Sequence, residues 1–260
     1  MTGGASAIAV RRLRKVYSSG SEGQIEALRD ISFDVAAGEF VSVVGPSGCG
    51  KSTLLKIIAG ILPPSGGEIA LDGRAVSGPS ARIGVVFQAP VLLPWRTILD
   101  NVLLPIAVRR LPRREYVERA AGLLRLVGLE GFERRHPHEL SGGMQQRAAI
   151  CRALITDPAL LAMDEPFGAL DALTRESMNL ELLRIWDASR KTVFFITHSI
   201  GEAVFLSDRV IVMTPRPGAV DEIIPIDLPR PRGLELMGTE PFAAYTDRVR
   251  RRLGSQGMVA

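Results

Sequence analysis

A chain of 260 residues, 46% of them hydrophobic, can bury one large core or two smaller ones. Its net charge of +4 comes with no lysine-rich tail and no aromatic-interleaved basic patch, so nucleic acid is not an expected partner. Two cysteines, Cys49 and Cys151, provide no disulfide framework, residues 1–16 carry no signal-peptide apolar core, and no apolar run reaches the roughly 18 residues that cross a bilayer. A globular protein of a reducing compartment is therefore expected, reaching a membrane only through a partner. The clusters Arg109-Arg110 with Arg113-Arg114, and Arg248 with Arg250 to Arg252, read as solvated faces.

In chain order, residues 7–44 read as β. Ile8 to Val16 alternates weakly, Gly20 to Gly23 reads as a turn, and Leu28, Ile31, Phe33 and Val35 fall on one face of a half-exposed strand. Tyr17, ending the first strand, either stacks on a purine or packs at a rim. Phe40 to Val44 reads as a buried strand. Leu54, Leu55, Ile57 and Ile58 then give one face of a helix stopped by Gly60. Between strand and helix, Gly45-Pro46-Ser47-Gly48-Cys49-Gly50-Lys51-Ser52 fits the phosphate-loop pattern G-x-x-x-x-G-K-[ST], with Thr53 following. The residue types suit a triphosphate. Glycines let successive N–H groups turn inward, the helix start adds a positive dipole end, Lys51 reaches the β- and γ-phosphates, and the Ser52 hydroxyl can ligate Mg²⁺.

Glu68 to Leu71 is a short strand closed by Asp72-Gly73, a hairpin signal. Ile83 to Phe87 is a buried strand that delivers Gln88 at its carboxyl end, where ligands of α/β sheets gather and where Gln88 could reach Mg²⁺ or a water. From Ala89 to Asp157 the pattern turns helical: a stretch from Thr97, capped by its hydroxyl; a second over Glu115 to Val127; a third over Met144 to Ile155, preceded by Leu140-Ser141-Gly142-Gly143. Leu160 to Met163 is a central strand ending in Asp164-Glu165. Adjacent carboxylates at a buried strand tip suit a cation and a proton transfer: Asp164 holding Mg²⁺, Glu165 polarising the attacking water. A helix over Asp171 to Trp186 follows. The strand Thr192 to Thr197 brings His198 to the same sheet edge, as a γ-phosphate contact. Glu202 to Leu206 (helix), Arg209 to Met213 and Val220 to Ile226 (strands), and a basic helix from Pro241 complete the chain.

Taken together these stretches resemble the ATP-binding subunit of an ATP-binding-cassette (ABC) transporter, over Ile8 to Ile226 and in the family's order. The most specific is Leu140-Ser141-Gly142-Gly143-Met144-Gln145-Gln146-Arg147, which looks like the signature segment. The resemblance implies an α/β fold: a P-loop NTPase core with a mixed, largely parallel sheet and an antiparallel β subdomain (residues 1–88 and 158–260), plus an inserted α-helical subdomain (89–157). It implies adenine stacking on Tyr17, ATP and Mg²⁺ as cofactors, catalytic roles for Glu165, His198 and Gln88, metal contacts from Ser52, Gln88 and Asp164, and a D-loop from Gly168 to Asp171. Nucleotide contacts would come from Gly45 to Thr53, from Ser141, Gly142 and Gly143, and from Asp171. Ser141 to Gly143 open a helix, a second anion site, which suggests a head-to-tail homodimer sharing two ATP sites. Met144, Gly168 and Ser199 depart from the family's commonest residues, and no catalytic residue is missing.

A finer resemblance is to nitrate/sulfonate/taurine-type importers. It rests on Leu92-Leu93-Pro94-Trp95-Arg96-Thr97, on Leu140 to Met144, and on Ser207 to Val210 followed by Pro215-Arg216-Pro217-Gly218. It implies ATP-driven import of a small anionic or polar nutrient, or of a pyrimidine precursor. The partners implied are separate permease subunits and a secreted substrate-binding protein, with this chain peripheral on the cytoplasmic membrane face and Leu93 and Trp95 as candidate permease contacts. The alternatives are a non-transport ABC ATPase of DNA repair or translation, which usually carries a long coiled coil or two cassettes, and a regulatory module that binds nucleotide without turnover.

Overall fold

The computed structural model describes residues 6–19 and 23–255, so the expected turn at Gly20 to Gly23 lies largely outside the described residues. The chain divides into two compact units. One comprises residues 1–80 and 191–260, the other residues 81–190, which contain the expected helical insertion.

In the first unit, β1 (Ser6–Ser19) pairs antiparallel with β2 (Gly23–Ala36). The weak alternation of both strands has a structural cause. Val10 and Leu13 both point inward although two residues separate them, as do Leu28 and Ile31. Arg12 (φ 44°) and Asp30 (φ 46°) take left-handed conformations, and the register shifts between Val10 and Leu13. Such bulges reset the inside–outside phase. β3 (Phe40–Val44) is buried at all five positions, and α1 (Lys51–Ile58) follows directly from the turn after it. β4 (Gly66–Leu71) and β5 (Arg74–Ala75) are joined through Asp72 and Gly73, both at positive φ, which matches the twist of a tight hairpin. The resulting sheet has the order β2-β1-β4-β5.

The second unit opens with β6 (Ile83–Val86). The helix expected from Thr97 is present but broken into α2 (Ile98–Val102) and α3 (Leu104–Val108). Pro105 lies in the first turn of α3, where its missing N–H is harmless, but it could not continue the ladder of α2. Thr97 Oγ1 accepts the Asp100 N–H at 3.2 Å, as its position suggested. Then come α4 (Val117–Leu126) and α5 (Gly142–Leu154), which begins two residues before the expected Met144 because Ser141 caps it. β7 (Leu160–Asp164) lies parallel to β6, and α6 (Ala172–Ser189) ends with Arg190 at φ 46°, its guanidinium 4.7 Å over the Trp186 ring.

The chain returns to the first unit with β8 (Thr192–Ile196), α7 (Ile200–Leu206), β9 (Arg209–Met213), β10 (Val220–Pro225) and α8 (Glu240–Ser255). There β3 runs parallel to β8 on one side and to β9 on the other, and β10 closes antiparallel on β9. Phe33 of β2 stacks on Phe194 of β8 with centroids 5.9 Å apart, tying the two sheets of this unit through one aromatic core. The carbonyls ending α7 are received by two arginines. Arg232, 7% exposed, donates to the carbonyls of Val204, Phe205 and Ser207, and to those of Ile226 and Leu228. Arg230 takes the Leu206 carbonyl together with the Asp208 carboxylate. Burial pushes the Arg232 guanidinium down to about 10, so it keeps its charge at neutral pH. The arginines of α8 do not form one free cationic face: Arg248 and Arg252 share Glu222, and Arg250 pairs with Asp247.

Candidate nucleotide site

The turn between β3 and α1 is set by close backbone approaches. Gly50 stands at φ 105°, and a Cβ there would lie 2.7 Å from Leu28 Cδ2 and 2.9 Å from Ala27 O. Gly218, in the turn between β9 and β10, comes so near the Cys49 carbonyl that a Cβ would overlap it. Gly218 is itself fixed: its N–H donates to Ala27 O at 3.0 Å, and its carbonyl accepts the Arg29 N–H at 2.9 Å. The phosphate loop is thus gripped between residues 27–28 and Gly218. Lys51, 5% exposed, lies within it, donating to Gly45 O at 2.9 Å and Pro46 O at 3.0 Å. Ser47 and Gly48 form the exposed rim. Cys49 is buried 3.9 Å from Lys51 Nζ; burial pushes its thiol up, against the pull of the lysine, and it stays neutral. Ser52 and Thr53 are half-buried in the first turn of α1. Thr53 Oγ1 lies 3.2 Å from the Tyr17 hydroxyl, so the aromatic at the end of β1 is tethered to the phosphate-loop helix. Lys15 Nζ stands 5.2 Å over the Tyr17 ring, anchored by Pro63 O at 2.7 Å.

His198 is exposed just beyond β8, and its two neighbours are pinned. The Thr197 hydroxyl donates to the buried Glu202 carboxylate and accepts the Ser199 N–H at 2.9 Å; Ser199 Oγ caps α7 by accepting the Glu202 N–H at 3.3 Å. The imidazole is therefore carried on a rigid backbone.

In the second unit, Asp164 ends β7 and Glu165 follows at φ 47°, a conformation that costs a residue with a side chain on the order of 1–3 kcal/mol and concentrates at functional sites. The Gly168 N–H closes the turn onto Glu165 O at 3.1 Å. Gln88 meets this turn: a Cβ on Gly168 would lie 3.3 Å from Gln88 Nε2 and 3.8 Å from Glu165 Cβ. Three of the residues read from separate stretches, Gln88, Glu165 and Gly168, thus converge. Ser141 caps α5, its Oγ accepting the Met144 N–H at 3.3 Å, and Gly142 and Gly143 form the first turn, whose N–H groups have no acceptor within the helix. A cavity of about 390 Å³ opens beside them, bounded by Ser141, Gly143, Arg147, Thr174 and Glu181. The larger cleft of about 820 Å³, between Arg11, Arg12, Arg14 and Gly66 to Glu68, holds none of the residues singled out in the sequence.

A family model described as ABC transporter matches residues 28–168. The taurine import ATP-binding protein TauB of Rhizobium johnstonii is 56% identical over 206 residues, 79% of each chain. The chain belongs to the ABC transporter family. It is an ATP-binding subunit of that family, similar also to the aliphatic sulfonates import ATP-binding protein SsuB of Bacillus cereus, at 41% identity over 94% of both chains. Among solved structures, a dimeric post-hydrolysis state of the ATP-binding cassette MJ0796 bound to ADP and Pi superposes with a TM-score of 0.73 at 34% identity, covering 87% of this chain and all of that one.

Within this ABC subunit, Asp171 uses its carboxylate to cap α6, accepting the Thr174 N–H at 3.0 Å; the Thr174 hydroxyl, and then that N–H, hold its carboxyl below the usual range. Sequence reasoning passed over several residues that hold the site in place. Asn101, fully buried, fastens the loop before α2. Gln146 and Arg152 reach the loop around Gln88. Thr197 and Glu202 set His198, and Gly218 abuts Cys49. The available signal was a polar side chain recurring on an otherwise apolar helix face, as with Gln146 three positions before Ala149 and four before Ile150.

Proposed function

We propose that this chain hydrolyses ATP to energise import of a small anionic or polar nutrient, of the nitrate, sulfonate or taurine type, through separate permease subunits. Two copies pair head to tail, so that Ser141, Gly142 and Gly143 of one close over the γ-phosphate held by Gly45 to Thr53 of the other. The observation carrying this reading is the coexistence in one chain of a gripped phosphate loop with Lys51 seated in it and a capped Ser141-Gly142-Gly143 helix start. Both are anion sites, and one triphosphate needs both.

In this reading Tyr17 stacks on the adenine, Lys51 neutralises the β- and γ-phosphates, and His198 donates to the γ-phosphate. Glu165 accepts a proton from the attacking water, Gln88 orients that water, and Asp171 lines the contact between copies. Mg²⁺ fits the donor chemistry, since the Ser52 hydroxyl, the Asp164 carboxylate and the Gln88 amide oxygen are hard oxygens. Among the described residues no cluster of three His, Cys, Asp or Glu exists, so phosphates and water would complete its shell, as Mg²⁺ prefers. When bound, the ion supplies charge neutralisation between the phosphates.

Among the described residues no helix is long and apolar enough to cross a membrane. In this reading the chain sits on the cytoplasmic membrane face, held by the permease, and a secreted binding protein delivers the cargo. The longest described helix, α6, has 18 residues, which speaks against the coiled-coil ABC ATPases of DNA repair. The test is Glu165→Gln. Turnover should fall at least about 100-fold while Mg-ATP binding persists, and light scattering should show a dimer at saturating ATP. A mutant that still hydrolyses at near wild-type rate, or stays monomeric, would overturn the reading.

A further inference from the structure

The loop carrying Gln88 is held by the helix that begins with Ser141. Gln146 of α5, 2% exposed, donates from Nε2 to the Phe87 carbonyl at 3.1 Å, immediately before Gln88. Arg152, further along α5, forks across two successive carbonyls, Pro90 O and Val91 O, each at 2.7 Å. Gln88 and Ala89, both exposed, are bracketed by these three carbonyls, and Val91 is kept at φ 49°. The far end of the same loop is fastened differently. Asn101 accepts the Leu93 N–H at 2.7 Å and donates to the carbonyls of Leu93, Arg96 and Thr97, at no cost in buried charge.

The contrast is informative. A neutral amide suffices to fold such a loop, yet at Pro90 and Val91 the chain places a partly buried cation, whose guanidinium burial pushes down, against carbonyls alone among its hydrogen-bond acceptors. A planar fork spanning two carbonyls fixes orientation as well as distance. From Ser141 to Arg152 α5 is one rigid rod, about 16 Å long at 1.5 Å per residue.

We infer that Gln146 and Arg152 are positioning residues that make Gln88 move as one body with the Ser141 end of α5. Nucleotide contact at Ser141 to Gly143 then sets where Gln88 stands against Glu165 and Gly168. The inference rests on the reading of Gln88 as a group that orients the attacking water.

The experiment is a double-mutant cycle on kcat and KM for Mg-ATP, with Gln88→Ala, Arg152→Ala and their combination, each checked for its unfolding midpoint. Gln88→Ala should lower kcat about tenfold. Arg152→Ala should lower it about five- to tenfold with KM within about twofold, and should cost less than about twofold more when Gln88 is already gone. Arg152→Lys should restore less than half of the loss, since one ammonium cannot span both carbonyls. Should Arg152→Ala fail to fold, Gln146→Leu runs the same cycle against Gln88→Ala. Equal losses in both Gln88 backgrounds, or no loss from Arg152→Ala beside a clear loss from Gln88→Ala, would overturn the inference. A Gln88→Ala enzyme with unchanged kcat would instead overturn the underlying role of Gln88, and the inference with it.

Discussion

Adding one methyl at Gly218 should damage a site to which that residue contributes no functional group. The new Cβ would overlap the Cys49 carbonyl and lie 2.9 Å from Met213 Cε. The flexible methionine can yield; the backbone carbonyl cannot. If the turn withdraws, it loses the Gly218 N–H bond to Ala27 and the Arg29 N–H bond to Gly218. Each is worth about 1 kcal/mol net, on top of about 1–3 kcal/mol for the overpacking itself. If the phosphate loop yields instead, it moves by about 1 Å, enough to cost about 100-fold in a geometry-dependent reaction. Gly218→Ala should therefore lose about 3–5 kcal/mol by urea unfolding, or about 100-fold in kcat/KM for Mg-ATP, or share the loss between them. Gly218 is not among the glycines at positive φ, so alanine carries no backbone penalty there and the effect isolates the contact. Gly201→Ala is the control: its nearest neighbour would be Ser199 Oγ at 3.8 Å, and it should be neutral or stabilising within α7. A Gly218→Ala protein with wild-type unfolding and wild-type kcat/KM would refute the argument that this turn braces the phosphate loop.

Three further outcomes follow from polar side chains that tie neighbouring segments together. Asn101→Leu removes four hydrogen bonds and strands the Leu93 N–H, so it should cost about 3 kcal/mol in urea unfolding, and Asn101→Asp should recover little because a carboxylate would face the carbonyls of Leu93, Arg96 and Thr97. Arg232→Met keeps bulk but leaves five carbonyls without their donor; a loss of about 3–5 kcal/mol is expected, with Arg232→Lys intermediate. Glu222 is held below the usual carboxyl range by hydrogen bonding to Arg248, joined by Arg252, against desolvation that pushes the other way. A depressed carboxyl stabilises above its unfolded pKa of about 4.3 and stops doing so as pH falls through its folded value. Glu222→Gln should thus cost about 0.5–1 kcal/mol at pH 7 and nothing at a pH well below the folded value, read by thermal melts across that range.

Most of the candidate site was legible from the chain's local chemistry. A phosphate loop must be contiguous, because successive N–H groups of one turn bind one anion, so Gly45 to Ser52 could be read with no knowledge of what surrounds it. The same holds for Thr97 capping its own helix and for Asp164-Glu165 at a strand tip. Strand ends were legible wherever an apolar run was buried on both faces, as at β3 and β8. They blurred in β1 and β2, where bulges at Arg12 and Asp30 broke the period on which the reading relied.

What only the tertiary structure decided are the contacts between residues far apart in the chain. Nothing in the sequence around Gly218 says that its missing side chain is needed by Cys49, 169 positions earlier, or that Arg152 is spent on Pro90 and Val91. Periodicity and capping depend on neighbours within a few residues, so a sequence displays them. A close approach or a carbonyl clamp depends on which segments the fold brings together, and that is settled by packing over the whole unit rather than by any window of residues.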